Sequence, residues 1–355
     1  MIDCYHRIRS LKNSGIKIHL HAYEYGRPPS KELEELCSSV VYYPRIISFK
    51  QHFSFLPYSV ISRNSKQLLE DLLKDDFPIL FDGIQTTIFL ANPLLAGRKK
   101  VVRIHNTEPH YYLTLAQYEK NLIKKAYYIL EAFKLSRYEK ILRKSDHLLT
   151  LSFVDQDYYN SRFHNSILLA SFHPFDMINI LPGKGNYILY HGDLSINENI
   201  AVAKFLIRKV FSRLTYPCII AGKNPPSYLI AETEKHDNIS LIADPESNRM
   251  DELIRNAQIN VLPSMAVNGF KLKLIISLYI GRHCIVNSTI IKKTGLESIC
   301  HIADTGEKIV QKITALMSLP FTQEMIEERI KVLALKYDNR INAKILSELL
   351  FEKSQ

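Results

Sequence analysis

Two lysines, Lys271 and Lys273, stand where a loop with a single glycine passes into an apolar helical stretch. The first amides of a helix lack partners within it, and the aligned peptide dipoles place partial positive charge at that end. These amides, around Phe270 to Lys273, and the two ammonium groups would favour an anionic group. At 3.6 residues per turn the lysines lie about 200° apart, so Lys273 is the better candidate to share a face with Ile276. The alternative is a solvated helix start beside a core helix.

A second polar group, His105 and Asn106, follows the apolar run Val101 to Ile104. Such a run is typical of a buried strand, and open α/β sheets bind ligands beyond the carboxyl ends of their strands. An imidazole titrates near neutrality and can donate to a hydroxyl or phosphate oxygen. The pattern alone leaves open whether His105 is functional or structural. Arg103 and Glu108 are weaker candidates, and Glu108 could orient an acceptor hydroxyl.

The elements that must position these groups alternate between strand and helix. Around the two lysines the sequence predicts a strand from Ile259 to Leu262, a loop, a helix from Lys271 to Ile280 and a strand from Cys284 to Val286. Gly281 ends the helix. This order is one βαβ unit, with its loop at the carboxyl edge of a parallel sheet.

The first half of the chain shows the same alternation, although it begins with a helix. Predicted helices cover Ile2 to Asn13, Ser30 to Cys37, Ser59 to Leu73, the residues after Gln85 and the region Tyr112 to Asp146. Predicted strands cover Ile16 to His21, Val40 to Tyr43, Ile79 to Phe81, Val101 to Ile104, His147 to Leu151 and Ile167 to Leu169. The pattern predicts a parallel sheet with helices on both faces.

The stretch Ser171 to Gly185 is rich in proline and glycine without a regular period, which predicts an interdomain linker. After it the alternation restarts. A strand ends at His191, and a helix capped by Asn197 or Asn199 follows.

The segment Ile259 to Leu274 resembles the donor site of the family 4 glycosyltransferases, a retaining group with the GT-B fold. The shared order is strand, Pro-Ser, loop, x-G-F-x-L-x-L and helix. In that family a glutamate precedes Gly-Phe and a second lies eight residues later; here those positions hold Asn268 and Ile276. The resemblance implies that the first contacts the transferred sugar and the second the nucleotide ribose. Asn268 can still hydrogen-bond a sugar hydroxyl, whereas Ile276 cannot hold a diol.

The resemblance also assigns roles to loops that follow other strands. Many family 4 members clamp the donor diphosphate with an arginine and a lysine where this chain has Asp193 and Glu198. Two carboxylates would repel a diphosphate, so we expect them to turn to backbone amides or to the acceptor. Lys223, in the next loop, is the expected substitute cation. The resemblance places Asp244 beside the nucleotide base and His105 near the transferred sugar and the donor phosphates.

The predicted site therefore has three parts and no metal ligand. The catalytic residues are His105, Asn268 and Lys273; the donor-binding residues are Lys223, Asp244, Gly269, Phe270, Lys271, Leu272 and Ile276; the acceptor-side residues are Arg103, Asn106 and Glu108.

The resemblance implies an α/β chain with the GT-B fold, in which two Rossmann-like doubly wound domains face each other across a cleft. We assign residues 1–172 to an acceptor-side domain, 173–184 to the linker, 185–335 to the nucleotide-sugar donor domain and 336–355 to a helix that crosses back. The resemblance would also put an apolar strand and a glycine-rich turn upstream of Met1. Our hypothesis is that the chain lacks the first strand of its N-terminal sheet.

Composition narrows the class of protein and its partners. The 355 residues are 46% hydrophobic, the formal net charge is +10, and residues 1–172 carry 24 basic against 17 acidic residues. This excess, with the basic and aromatic residues of the predicted helical region 112–146, suits an anionic membrane surface. The alternative is that this helical region packs its apolar stripe on the sheet. No nucleic-acid motif is present. Five scattered cysteines without a C-x-x-C favour a cytosolic protein over a zinc site.

The sequence favours a cytoplasmic transferase, peripheral at the inner face of the membrane. It would move a sugar, with retention, from a nucleotide-sugar co-substrate to a cell-surface polysaccharide or lipid-linked glycan, with no cofactor or metal. One alternative is a non-catalytic GT-B protein that binds a glycan or a partner enzyme, because the motif positions 193, 198, 268 and 276 are altered. A less favoured alternative is a GT-B epimerase or phosphorylase.

Overall fold

The structure, a computed structural model, describes residues 2–24, 26, 28–265 and 272–351. These residues divide into two compact units. The first contains the described chain as far as His173 and again from Lys336, and the second contains the described residues between Pro174 and Leu335.

All the strands within the described ranges run parallel to their neighbours. They are β1 (His19–Tyr23), β2 (Ser39–Tyr43), β3 (Ile79–Asp82), β4 (Lys100–Ile104), β5 (His147–Thr150), β6 (Ser166–Leu168), β7 (Ile188–His191), β8 (Cys218–Gly222), β9 (Ile239–Ala243), β10 (Ile259–Val261), β11 (His283–Val286) and β12 (His301–Ile302). In the first unit β1 pairs with β2, and a second sheet has the order β3-β4-β5-β6. The hypothesis of a missing first strand stays a prediction.

Helices lie between most of these strands. They are α1 (Ile2–Asn13), α2 (Lys31–Leu36), α3 (Tyr58–Ile61), α4 (Lys66–Leu72), α5 (Glu108–Tyr118), α6 (Leu122–Tyr138), α7 (Phe153–Phe163), α8 (Asn197–Lys209), α9 (Ser227–Thr233), α10 (Ser247–Asn256), α11 (Leu272–Ile280), α12 (Ser288–Ile291), α13 (Gly306–Ser318), α14 (Gln323–Ala334) and α15 (Asn339–Phe351). None of the helices in the described ranges is long and apolar enough to cross a bilayer.

Four helix predictions were wrong. Where a helix was predicted after Gln85, the structure has 3-10 turns at Ile84–Phe89 and Pro93–Leu95. The other three were wrong in detail. The helix predicted over 59–73 is interrupted, because the side chain of Ser65 accepts from the amide of Leu68 and starts α4 anew. The long helical region after residue 112 is likewise divided, since Asn121 caps α6 by accepting from the amides of Ile123 and Lys124. Conversely, α8 begins after Ile196, with no side-chain cap from an asparagine.

The first unit is built around β4, which is buried along its whole length. One face of the sheet packs against α15, whose buried residues Ala343, Leu346 and Leu350 repeat at three and four positions, as on one helix face. They contact Val101 and Leu149 of the sheet in a single apolar cluster. The last described helix is therefore part of the first unit's core.

The sheet of the second unit has the order β12-β11-β10-β7-β8-β9. The chain proceeds outward from β7 through β8 to β9 and then returns to the other side of β7 with β10. Ligands of open parallel sheets bind outside the carboxyl ends of the strands where the order reverses in this way. The fold thus points to the ends of β7 and β10 as a site.

Candidate functional site

Lys273 lies in the first turn of α11 and extends towards the end of β7. Its Nζ donates to Oδ1 of Asn199 at 3.3 Å and lies 5.0 Å from the centre of the Tyr190 ring. His191, the last residue of β7, is buried with Nε2 at 2.9 Å from Oγ of Ser277. Burial, with the Lys273 ammonium nearby, lowers the pKa of His191 to about 3. The imidazole is therefore neutral, and Lys273 supplies the positive charge at this end of the strand.

The two residues at the diphosphate-clamp positions behave differently. Asp193 accepts from the amide and the hydroxyl of Ser195 at 3.0 and 2.6 Å, so it turns to its own loop as expected. Glu198 was expected to reach a backbone amide or the acceptor, and this expectation stays a prediction. Its Oε1 accepts from Oγ of Ser264 at 2.7 Å, which brings a carboxylate to the loop that follows β10. Asn287 fixes that loop by pairing with the amide and carbonyl of Ser264.

The loops after β8 and β9 form the next part of this edge. The amide of Leu194 donates to the carbonyl of Lys223 at 2.8 Å, which joins the loops after β7 and β8. The side chain of Lys223 is exposed, and so is Asp244, whose Oδ1 accepts from the amide of Asn224 at 2.7 Å. Both predicted donor-binding residues thus lie on the same sheet edge as Lys273.

Four predicted site residues, Asn268, Gly269, Phe270 and Lys271, lie outside the described residues. Leu272 and Ile276 are described and are half-buried on α11.

In the first unit, His105 is hydrogen-bonded to a carboxylate. Its Nε2 lies 2.9 Å from Oδ1 of Asp82, which also accepts from Arg7 at 2.7 Å. Arg7 in turn donates to Asp3 at 2.8 Å. Burial by itself would raise the pKa of Asp82, but the Arg7 guanidinium and His105 hold it well below its usual range. The first turns of α1 thus support a polar pair at the ends of β3 and β4.

The assignment of Arg103 to the acceptor side was wrong. Its side chain is fully buried and donates to Oδ1 of Asp3 at 2.9 Å and to the carbonyls of Leu169 and Ala170 at 2.7 and 3.0 Å. These hydrogen bonds join the start of α1 to the chain just after β6, from a position inside the sheet. Arg103 is a structural cation.

Glu108 and Asn106 lie at the start of α5, close to His105. Burial raises the pKa of Glu108 to about 7, although His105 and a hydrogen bond with Asn106 act in the opposite direction. A carboxyl group in this state is part protonated near neutrality and can donate as well as accept. The two predicted acceptor-side residues therefore lie beside His105.

Asp82, Arg7 and Asp3 were not among the site residues predicted from the sequence. A signal for Asp82 was present, because it directly follows the apolar residues of β3 as His105 follows β4. Asp82 and Arg103 are register partners on these neighbouring strands. Within the described ranges, no three His, Cys, Asp or Glu side chains cluster in a way that could hold a metal ion.

Comparisons with solved structures decide the fold. Over 99% of this chain, the structure is similar to that of Alr3699/HepE of Anabaena in complex with UDP and glucose, with a TM-score of 0.67, 11% identity and 95% of that chain covered. A UDP-forming α,α-trehalose-phosphate synthase of Burkholderia vietnamiensis is similar over 93% of both chains, with a TM-score of 0.58 and 10% identity. The chain has the GT-B fold.

Two further comparisons bear on the protein's relatives. A point mutant of TarM from S. aureus, in complex with Fondaparinux, alpha-GlcNAc-glycerol and UDP, gives a TM-score of 0.57 with 13% identity over 81% of this chain, which spans 58% of TarM. In sequence, the chain is 24% identical over 295 residues to an uncharacterized 44.6 kDa protein in the cps region of Klebsiella pneumoniae, covering 77% of this chain and 74% of that protein. The sequence matches no model of a known protein family.

Proposed function

We propose that the protein is a glycosyltransferase that uses a nucleotide-sugar donor. The observation that carries the proposal is Lys273, which lies in the first turn of α11 beside His191 and Asn199, at the strand-order reversal of the second sheet. A lysine beside a helix start favours a diphosphate leaving group. The structures of HepE and TarM, which share the fold, contain UDP.

The reaction would transfer the sugar to a cell-surface polysaccharide or lipid-linked glycan, with retention and without a metal, as in family 4. An acceptor hydroxyl oxygen bonds to the anomeric carbon, and the bond from that carbon to the diphosphate oxygen breaks. The acceptor proton leaves with the nucleoside diphosphate. Lys273 and Lys223 stabilise the charge that develops on the leaving group, which is electrostatic catalysis. We assign His105, which Asp82 orients, a role near the transferred sugar. We also propose that the enzyme is cytoplasmic.

A donor screen tests this proposal. Calorimetry against UDP, GDP, ADP and dTDP identifies the base, and release of the nucleoside diphosphate from matching nucleotide sugars measures turnover. We expect Lys273→Ala to lower turnover by about tenfold to a hundredfold, because one charge-stabilising group is lost. Lys204→Ala is the matched control, since Lys204 also lies over a tyrosine ring, that of Tyr228, at 4.2 Å. Equal turnover of the two variants would reject the role of Lys273.

The structure also carries an observation in favour of the second candidate function, a non-catalytic GT-B protein. Glu198 places its carboxylate against Ser264 at 2.7 Å and close enough to Tyr190 to raise the pKa of that buried phenol further. A negative charge near Lys273 opposes diphosphate binding. If none of the four nucleotides binds the wild type while Glu198→Gln binds one of them, the binding-protein function is favoured over the transferase.

A further inference from the structure

Helix α6 turns an apolar face to solvent. Leu122, Ile129, Leu130 and Phe133, here called the apolar stripe, are 80%, 49%, 49% and 57% exposed. At 3.6 residues per turn these four positions lie within an arc of about 100°. The opposite side of the same helix buries Glu131 and Lys134, which form an ion pair at 3.0 Å. The same side also packs Leu135 into the apolar core, so α6 is apolar both towards the core and towards solvent.

A second exposed apolar segment borders the stripe. Residues 49–55, here called the aromatic loop, contain Phe49, Phe53 and Phe55, which are 77%, 77% and 98% exposed. The loop is held against α6, because Nζ of Lys134 donates to the carbonyl of His52 at 2.8 Å. Lys134 is four residues from Leu130, so this contact brings the loop to the edge of the stripe.

The charge around these apolar groups is positive. From Leu36 to Leu69 the sequence contains no Asp or Glu, whereas Lys50 lies within the aromatic loop and is exposed. On α6, Lys124 is exposed and the Arg137 guanidinium lies 5.2 Å from the centre of the Phe133 ring. The one acid of α6, Glu131, is fully buried. The surface therefore combines exposed aromatic and aliphatic side chains with cations.

We propose that the aromatic loop and the apolar stripe together bind the surface of an anionic lipid bilayer. Apolar side chains at such a surface enter the boundary between head groups and acyl chains, while lysine and arginine reach the lipid phosphates. Each basic group near an anionic leaflet adds to the attraction between protein and bilayer. The cations therefore favour an anionic bilayer over an uncharged apolar surface. The surface contains none of the residues assigned to sugar transfer, so the proposal stands independently of the transferase.

Vesicle flotation tests the proposal with the whole protein. We expect the wild type to float with vesicles of phosphatidylcholine and phosphatidylglycerol and to remain largely unbound with phosphatidylcholine alone. Phe55→Ser should weaken binding to the anionic vesicles about tenfold, since one apolar side chain is lost from the bilayer. Leu335→Ser is the matched control, because Leu335 is 76% exposed in the second unit. The double variant Lys50→Gln, Lys124→Gln should bind anionic vesicles about tenfold less tightly.

All these side chains are exposed, so the variants should keep the thermal midpoint of the wild type, which is measured in parallel. Equal binding of the wild type to neutral and anionic vesicles, or equal binding of Phe55→Ser and Leu335→Ser, would overturn the proposal. Sedimentation velocity tests whether a second copy of the chain, instead of lipid, binds this surface. A wild-type dimer that Phe55→Ser converts to a monomer would assign the surface to self-association instead of lipid.

Discussion

At the scale of single residues, the contact between His105 and Asp82 determines which ring nitrogen carries the proton of a neutral imidazole. Asp82 is ionised, because the Arg7 guanidinium lowers the pKa of its carboxyl group. An ionised carboxylate can only accept hydrogen bonds. The proton of a neutral His105 must therefore reside on Nε2, which leaves Nδ1 as an acceptor. The sequence offered His105 as a candidate, but the residue that sets its tautomer lies 23 positions earlier.

Asp82→Asn should release this constraint. The amide can present either its oxygen or its NH₂ group to Nε2, so both tautomers of His105 become populated. We expect 15N chemical shifts of the ring to show the mixture and sugar turnover to fall roughly tenfold. Asp75→Asn is the control, since Asp75 also pairs with an arginine, Arg98, at 2.7 Å. An unchanged His105 tautomer in Asp82→Asn would contradict the role given to the carboxylate.

Glu108 should make the stability of the first unit depend on pH. Its pKa is about 7 in the folded chain, above the ordinary value of 4.5. A raised carboxyl pKa contributes stability that is fully present below 4.5 and is lost as the pH rises through 7. Glu108→Gln should remove this loss and gain about 2 kcal/mol over the wild type at about pH 8, with little difference near pH 4.5. Urea unfolding at several pH values measures it, and a constant difference would contradict the assignment.

At the scale of elements, the strands could be predicted better than the helices. Strands β4, β7, β10 and β11 are buried on both faces and are therefore largely apolar. Their location in the sequence can be predicted from these short apolar runs. The helix breaks at Ser65 and Asn121 depend on side chains that cap a new helix, and such residues also occur in mid-helix. The sequence left open whether the region 112–146 meets a membrane surface or packs on the sheet, because periodicity marks an apolar face without saying what covers it.

The candidate site shows the same limit. Lys273 and His105 became candidates because each was predicted to lie at the carboxyl edge of a parallel sheet, where ligands bind. Arg103 was a candidate because it lies near the same end of β4, yet its partners Asp3 and Leu169 lie 100 and 66 residues away in the chain. A contact of that range leaves no local signal. Burial of its guanidinium therefore had to be seen in the structure.

The loops after β7 and β8 meet at Gly222, and this contact should be sensitive to one methyl group. A Cβ at Gly222 would lie 1.9 Å from the carbonyl oxygen of Gly192, a backbone atom that cannot rotate away. Gly222→Ala should lower the free energy of unfolding by about 3 kcal/mol and displace the Lys223 loop. Gly97→Ala, which meets nothing within 4 Å, is the control. Urea unfolding compares the two variants, and equal midpoints would argue against close loop packing.

At the scale of the whole molecule, the first unit is discontinuous in sequence. The chain leaves it after His173 and returns at Lys336, so the contacts of α15 with β4 and β5 join segments that the second unit separates in sequence. Such long-range contacts are expected to form late in folding, because the entropy of closing a long loop is lost before the contacts offset it. Stability of the first unit thus depends on the last described helix.

Leu346→Ala tests this dependence. Leu346 is fully buried in the cluster with Val101, Leu149 and Phe172, so the substitution leaves a cavity and should cost about 2–4 kcal/mol. Leu335→Ala, eleven positions earlier and 76% exposed, should cost little. Native-state hydrogen exchange locates the effect: amides of β4 and β5 should lose protection in Leu346→Ala, while those of β7 and β8 keep it. If all four strands lost protection equally, the two units would unfold as one, and α15 would stabilise the molecule as a whole.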